Sequence, residues 1–309
     1  MNENQQHHVE ELLRALEVER VKANKIKRVG WLVVLAILLA GVGLFLAGFH
    51  ARELVITGVA WVVALIAVLI INHFVNKKVK NRFKEQVLYP AIKSNYKDLT
   101  HQSKNYLSRD LFHHSRLFKT YADRYNGEDL FQGVRGKTAY KFSEIHAEER
   151  YTTTDSKGRT QTKYRTIFKG VFLMADFNKH FNGLTRVVEG GDGFFEKLFA
   201  GKSKVSLENP TFEKIFNTYS NDQAEARYIL TPKMMEQILL IKEKWNSSVA
   251  LSFRDNHVFI AITSYYNLFE PNMKQTFDLA HVDRIFEEID SCLELIDILD
   301  LNTRIWTKR

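Results

Sequence analysis

The residues able to do chemistry are few and loosely spaced. Asp176, Asn178 and His180 alternate at the end of an apolar run, so all three side chains can point one way like metal ligands. A metal site needs further strong ligands, and no HxxxH, HExxH or CxxC spacing supplies them. Loop capping is therefore the reading taken for this triplet. Glu144 and His146, two apart on another run, join Asp176 and His180 as a set that suggests a polar cleft for acid–base work. His113 and His114 are adjacent and diverge by about 100° on a helix, which reads as two surface histidines. Cys292 lies three residues after Ile289 and four before Ile296 on an apolar helix face, the position of a buried, inert thiol. Gly190-Gly191-Asp192-Gly193 lacks the phosphate-loop pattern, Asp222, Glu225 and Arg227 with Glu208 read as solvated ion pairs, and no GxSxG elbow occurs. No residue set calls for a cofactor or a metal.

The elements that position these residues begin with two uncharged apolar runs, Val29–Phe49 and Leu54–Val75, four residues apart. Each is long enough, at about 1.5 Å per residue, to cross a hydrocarbon core of about 30 Å. The pair reads as a transmembrane hairpin. Lys22, Lys25, Lys27, Arg28, Lys77, Lys78, Lys80, Arg82 and Lys84 flank it on one side, and Arg52 alone stands in the turn. The positive-inside rule then puts both termini in the cytoplasm, with the chain multi-pass in its membrane. A cleaved signal peptide fits poorly, since its leading region would carry Glu3, Glu10, Glu11, Glu17 and Glu19. Neither span holds an ionisable Asp, Glu, Lys or Arg, so anchoring is favoured over transport. Small residues at Ala36, Ala40, Gly43 and Ala47, and at Ala60, Ala64 and Ala67, predict the packing seam between the spans.

Charge and cysteine usage bound the rest. Residues 1–84 hold 12 Lys/Arg against 6 Asp/Glu, so most of the formal +8 belongs to the membrane flanks. The remainder is nearly balanced, which argues against nucleic acid as a partner. One cysteine excludes a disulfide framework and fits a reducing compartment. The organisation expected is an amphipathic helix over 1–28, the hairpin over 29–75 (spans 29–49 and 54–75), a juxtamembrane helical connector over 77–136 kinked at Pro90, and a cytoplasmic α+β domain over 137–309. Within that domain, Lys137–Thr154 and Thr160–Asp176 flank the turn Asp155-Ser156-Lys157-Gly158. Ser248–Arg254 and His257–Thr263 meet across Asp255-Asn256. Asn209-Pro210 and Thr231-Pro232 open helices Pro210–Tyr219 and Pro232–Trp245, and a last helix covers about Asp278–Leu299. Adjacent hairpins without alternating β-α units predict a mostly antiparallel sheet with packing helices. Phe194, Phe195 and Phe199 beside Lys197 and Lys202 read first as a small core helix, with docking in a headgroup layer as the alternative.

Several segments resemble one family of bacterial two-span membrane proteins, the DUF3137 family, a domain of unknown function. They include Ser115-Arg116-Leu117-Phe118, Gly127-Glu128-Asp129-Leu130, Phe142-Ser143-Glu144-Ile145-His146-Ala147, Phe168-Lys169-Gly170-Val171-Phe172 and Ala175-Asp176-Phe177-Asn178-Lys179-His180-Phe181. Leu207-Glu208-Asn209-Pro210-Thr211-Phe212-Glu213, Tyr219 through Pro232, and Leu301-Asn302-Thr303-Arg304-Ile305-Trp306 extend the likeness. Some members carry a galanin-like label that implies no mechanism. The resemblance implies a two-span anchor with a cytoplasmic domain and transfers no catalytic residue. The expected function is a membrane-anchored binding, regulatory or scaffold module, its partners being the lipid bilayer and another membrane-associated protein or a second copy. The alternative is a tethered, hydrolase-like enzyme using Glu144, His146, Asp176 and His180.

Overall fold

The computed structural model describes residues 3–48, 50–177, 181–190 and 204–301. They form two compact units, Met1–Asn95 with Glu270–Phe286, and Tyr96–Phe269 with Glu287–Arg309.

In the first unit, α1 (Glu3–Leu46) and α2 (Ala51–Phe83) are both long and apolar enough to cross a membrane. Glycine at position 48 takes φ 73° between them, a value open to a residue without Cβ. The expected N-terminal helix and first span are one continuous helix. The predicted small-residue seam has the right period and the wrong phase. Ala36, Ala40 and Gly43 are exposed, whereas Gly30 backs onto Val68 and Gly41 onto Thr57. Along α2, Thr57, Trp61, Ala64, Leu65 and Val68 are among the shielded positions while Ala60 and Ala67 are exposed, so Ala64 alone of its predicted stripe belongs to the seam.

The expected kink at Pro90 takes the form of a π-helical turn, Lys84–Leu88, followed by α3 (Tyr89–Asn95). Pro90 has no N–H for Gln86, four residues back, and its ring crowds that carbonyl; a widened turn relieves the clash. The helix stops at Asn95, so the helical connector expected to reach residue 136 is corrected: a strand at Leu99–Gln102, a short helix at Arg109–His114 and a strand at Arg124–Arg135 follow.

The second unit is built on an antiparallel sheet. Among the described residues its strands are β1 (Leu99–Gln102), β2 (Arg124–Arg135), β3 (Thr138–Thr154), β4 (Thr160–Asp176), β5 (Leu184–Glu189), β6 (Lys204–Val205), β7 (Phe216–Ser220), β8 (Val249–Arg254) and β9 (His257–Thr263). Their order is β1-β2-β3-β4-β9-β8-β5-β7-β6, and every ladder is antiparallel. β4 is central, as its two apolar faces predict. The β3–β4 hairpin turns with Gly158 at φ 76°, and β8–β9 turns with Asp255 and Asn256 at φ 50° and 60°, the paired positive values of a tight hairpin.

Among the described residues, helices α4 (Arg109–His114), α5 (Pro210–Ile215), α6 (Gln223–Ile229), α7 (Pro232–Trp245) and α8 (Leu279–Ile298) follow. Asn209 and Thr231 cap α5 and α7 by accepting from Phe212 N–H at 3.0 Å and Met234 N–H at 3.3 Å. The helix expected over Pro210–Tyr219 ends at Ile215, because Phe216–Ser220 is wholly buried and pairs on both sides with β5 and β6.

One sheet face packs Ile145, Phe168, Phe172 and Phe259 against Phe112, Leu117 and Phe118 of α4 and the segment after it. Three side chains of that face take three successive carbonyls. Arg254 Nη1 donates to His114 O at 2.8 Å, Ser252 Oγ to Ser115 O at 2.5 Å and Arg186 Nη1 to Arg116 O at 3.4 Å. On the other face Phe131 and Phe142 stack on each other and meet Phe269. Arg135 ties β2 to α8 through Asp297 at 2.8 Å, and Lys242 ties α7 to β5 through Glu189 at 3.0 Å.

Candidate functional site

The β2–β3 register sets Glu128 directly opposite Glu144. Like charges in that relation repel, so their oxygens need donors. Immediately afterwards β2 slips register, with Asp129 at φ 56°, and the bulge turns a third carboxylate inward. One oxygen each from Glu128, Asp129 and Glu144 lie within 4.8 Å of one another, and Asp129 and Glu144 are buried. Each carboxylate meets a donor. Asn267 Nδ2 donates to Glu128 Oε1 at 3.0 Å, Leu268 N–H donates to Glu144 Oε1, and His101 Nε2 lies 2.9 Å from Asp129 Oδ1. Phe131 stacks on the His101 ring at 4.3 Å and fixes its plane.

A cleft of about 220 Å³ opens beside this cluster, lined by Glu128, Glu144, His146, Lys169, Tyr266 and Asn267 among others. His146 is two residues beyond Glu144 on the same face of β3, and Lys169 is its partner on β4. His146 Nε2 lies 3.1 Å from Thr166 Oγ1. Oxygen ligands at about 2.3–2.6 Å from a hard cation stand up to about 5 Å apart across it, so the three carboxylates have a spacing such an ion can bridge. The protein's own donors reach all three, so the cluster braces β2, β3 and the 267–268 segment with or without an ion. Next to the carboxylates on the same sheet face, Lys169 and His146 offer donors to an anionic or polar group.

Of the four residues expected to converge, Glu144 and His146 share this cleft. Asp176 does not join them. It pairs with His257 at 3.3 Å and lies five residues along β4 from Val171, the partner of Glu144, or roughly 17 Å at 3.3–3.4 Å per residue. Asn178 and His180, and the expected docking residues Phe194, Phe195, Lys197, Phe199 and Lys202, lie outside the described residues. Glu128 and Lys169 in the cleft, and Asp129 in the buried cluster beside it, are residues that spacing missed, because cross-strand register brings them in.

His113 and His114 diverge as their adjacency predicts. His113 stacks on Tyr121 at 4.0 Å, and burial, then the charge of Arg109, lowers its pKa; His114 Nε2 lies 2.9 Å from Asp255 Oδ2. Cys292 is fully buried, and burial holds its thiol well above the ordinary cysteine range. Asp222 caps α6 by accepting from Ala224 N–H and Glu225 N–H at 2.9 and 3.0 Å. Glu225 accepts from Asn182 N–H and Gly183 N–H at 3.0 and 2.7 Å, and Arg227 donates to Ser206 O at 3.2 Å, so these residues do structural work.

Fold and site define a class: two long apolar helices joined to an antiparallel α+β domain with an acidic cleft. Residues 166–301 match the model of a family described as "Protein of unknown function (DUF3137)", in line with the resemblance carried by the residue motifs. The matched stretch starts within β4 and leaves α1 and α2 outside it. No curated protein matches. Among solved structures, the crystal structure of the mycobacterial trehalose monomycolate transport factor A, TtfA, is similar at 12% identity, covering 71% of this chain and 97% of that one with a TM-score of 0.36. A likeness of that size carries no argument about function.

Proposed function

We propose that this chain is an inner-membrane protein of a bacterium, anchored by α1 and α2, whose α+β domain works at the cytoplasmic face as a binding, regulatory or scaffold module. The observation that carries the reading is the bare apolar surface of the two helices. Leu32, Leu39, Phe45, Val55, Val63 and Phe74 are all exposed, and no Asp, Glu, Lys or Arg interrupts either apolar run. Such surface is disfavoured in water by about 25 cal/mol per Å², and lipid tails remove that penalty. The nine flanking cations favour both ends inside. Its partners are then the bilayer and a second membrane-associated protein or another copy, since tethering to one surface raises effective concentration.

The test is alkaline extraction followed by cysteine labelling in spheroplasts. The chain stays in the membrane pellet, and a membrane-impermeant maleimide labels His50→Cys but not Lys157→Cys until the membrane is opened. Native Cys292 is buried and adds little background. Extraction of the chain, or labelling of Lys157→Cys in sealed spheroplasts, refutes the anchor or its orientation.

The tethered-enzyme alternative is favoured by one observation, the cleft that Glu128, Glu144, His146 and Lys169 line. There Glu144 and His146 exchange protons with substrate. A folded His146→Gln variant that keeps every partner cross-linked in native membranes, yet loses function in cells, selects the enzyme over the module.

A further inference from the structure

Just before its apolar run, α1 walls a concavity of about 710 Å³ whose lining includes Arg20, Asn24, Lys25, Lys27, Arg28 and Lys274. None of the lining residues is acidic. Spacings of three and four residues put Val21, Lys25 and Arg28 on one helix face. Lys274 arrives from a distant part of the chain and is fixed there by its neighbours. Arg20 Nη1 and Asn24 Nδ2 donate to the Met273 carbonyl at 3.0 and 3.1 Å, and Phe277 N–H donates to Glu17 Oε2 at 2.9 Å. Met273 and Phe277 are buried on either side of Lys274, and the Arg20 guanidinium lies 5.8 Å from the Phe277 ring.

Arg20 is already neutralised by Glu17, which it grips with two nitrogens at 2.7 and 2.5 Å. Lys25, Lys27, Arg28 and Lys274 remain, and among the described residues none of the four has an ion-pair partner. Four like charges around one hollow repel, and an anion relieves them. Arg28 directly precedes Val29, where the apolar run begins, so on the membrane reading above the hollow lies at headgroup depth.

We propose that this hollow binds the headgroup of an anionic phospholipid, with Lys25, Arg28 and Lys274 on its phosphate oxygens and the acyl chains along the apolar face of α1. The inference rests on the anchor reading and adds a defined lipid site to it. Basic flanks alone attract anionic lipid by unspecific charge, at about five-fold in affinity per cation. A built site differs in depending on which cation is removed. Lys22 provides the contrast, because it is exposed on the same helix and does not line the hollow.

The experiment uses the full chain from alkali-washed membranes in neutral detergent. It reads thermal unfolding and lipid retention by native mass spectrometry with phosphatidylglycerol, phosphatidylcholine or inorganic phosphate added. Phosphatidylglycerol stabilises and is retained, whereas the other two do neither. Lys274→Gln and Arg28→Gln each weaken phosphatidylglycerol binding about five-fold or more, Lys274→Arg restores it, and Lys22→Gln leaves it unchanged. Equal stabilisation by phosphatidylcholine or by free phosphate overturns the proposal, as does a Lys22→Gln loss equal to that of Lys274→Gln. Should a Gln variant unfold, the count of lipids retained by Lys274→Arg against wild type decides, and equal selectivity is the supporting result. Loss of the chain from the washed pellet overturns the anchor and this site together; retention without lipid selectivity overturns the site alone.

Discussion

His281 makes stability fall with acid in a defined window. It is 3% exposed, its ring centroid lies 5.7 Å from Phe83 and 5.5 Å from Phe277, and Nε2 accepts from Asn272 N–H at 3.0 Å. Arg284 Nη2 stands 3.0 Å from Nδ1, so a protonated ring would face donors on both sides. Burial first, and then the Arg284 charge, lowers the imidazole pKa from 6.5 to about 4. Because the folded pKa lies below the unfolded one, the unfolded chain takes up the proton first as pH falls. The stabilisation is therefore complete above about pH 6.5 and is lost progressively down to about pH 4. At about 1.4 kcal/mol per pH unit the loss amounts to roughly 3 kcal/mol. The assay is denaturant unfolding of the full chain in neutral detergent across that window, beside His281→Gln, which keeps an acceptor for Asn272 N–H and does not titrate. Glu17, whose pKa is lowered chiefly by its hydrogen bond from Arg20, titrates in both proteins, and its charge coupling to His281 is the smallest of its causes, so most of its contribution cancels in the comparison. Wild type loses about 3 kcal/mol more than the variant. Parallel profiles refute the reasoning.

Three further outcomes are expected. Gly170 sits mid-strand in β4 at φ 149°, and an added Cβ would fall 2.0 Å from the Ile262 carbonyl, so Gly170→Ala lowers unfolding stability by about 3 kcal/mol or more. Glu144→Gln removes one of two facing charges and keeps an acceptor for Leu268 N–H; its melting temperature at neutral pH stays level or rises, by up to about 1 kcal/mol of stability. A loss beyond about 2 kcal/mol would mean that a cation holds the carboxylates together. Thr231→Ala removes the cap of α7 and costs about 1 kcal/mol, and Thr231→Ser recovers most of it in the same unfolding assay.

What could be read from the residues follows the locality of the forces. The β3–β4 and β8–β9 hairpins were legible because alternation and turn chemistry lie within a few residues of each other. The caps at Asn209 and Thr231 were legible for the same reason. β2 was not. Gly127 and Gly133 look like strand breakers, yet they are there for closeness: an added Cβ would sit 2.5 Å from Glu144 O and 2.2 Å from Asp98 O. β7 was hidden by Asn217, Thr218 and Ser220, polar residues buried by pairing on both sides. In the cleft, Glu144 and His146 share a face by their spacing alone, whereas Glu128 and Lys169, and Asp129 in the cluster beside them, depend on register between strands. Between the apolar helices, periodicity gave the spacing of the seam, and only packing gave its phase.

The strand order also sets a timetable for synthesis. β2, β3 and β4 pair with their neighbours in sequence and can close as hairpins while the chain is being made. β4 then waits for β9, and β5 for β7 and β8, so the centre of the sheet closes only after His257–Thr263 has emerged. Until then a long central strand presents an open edge to other chains. A ribosome stalled before Val249, or a chain clipped there, leaves Val171, Leu173 and Ala175 without their partners. Rapid passage through that stretch, or a chaperone held at the edge of β4, is what this topology asks of the cell that makes it.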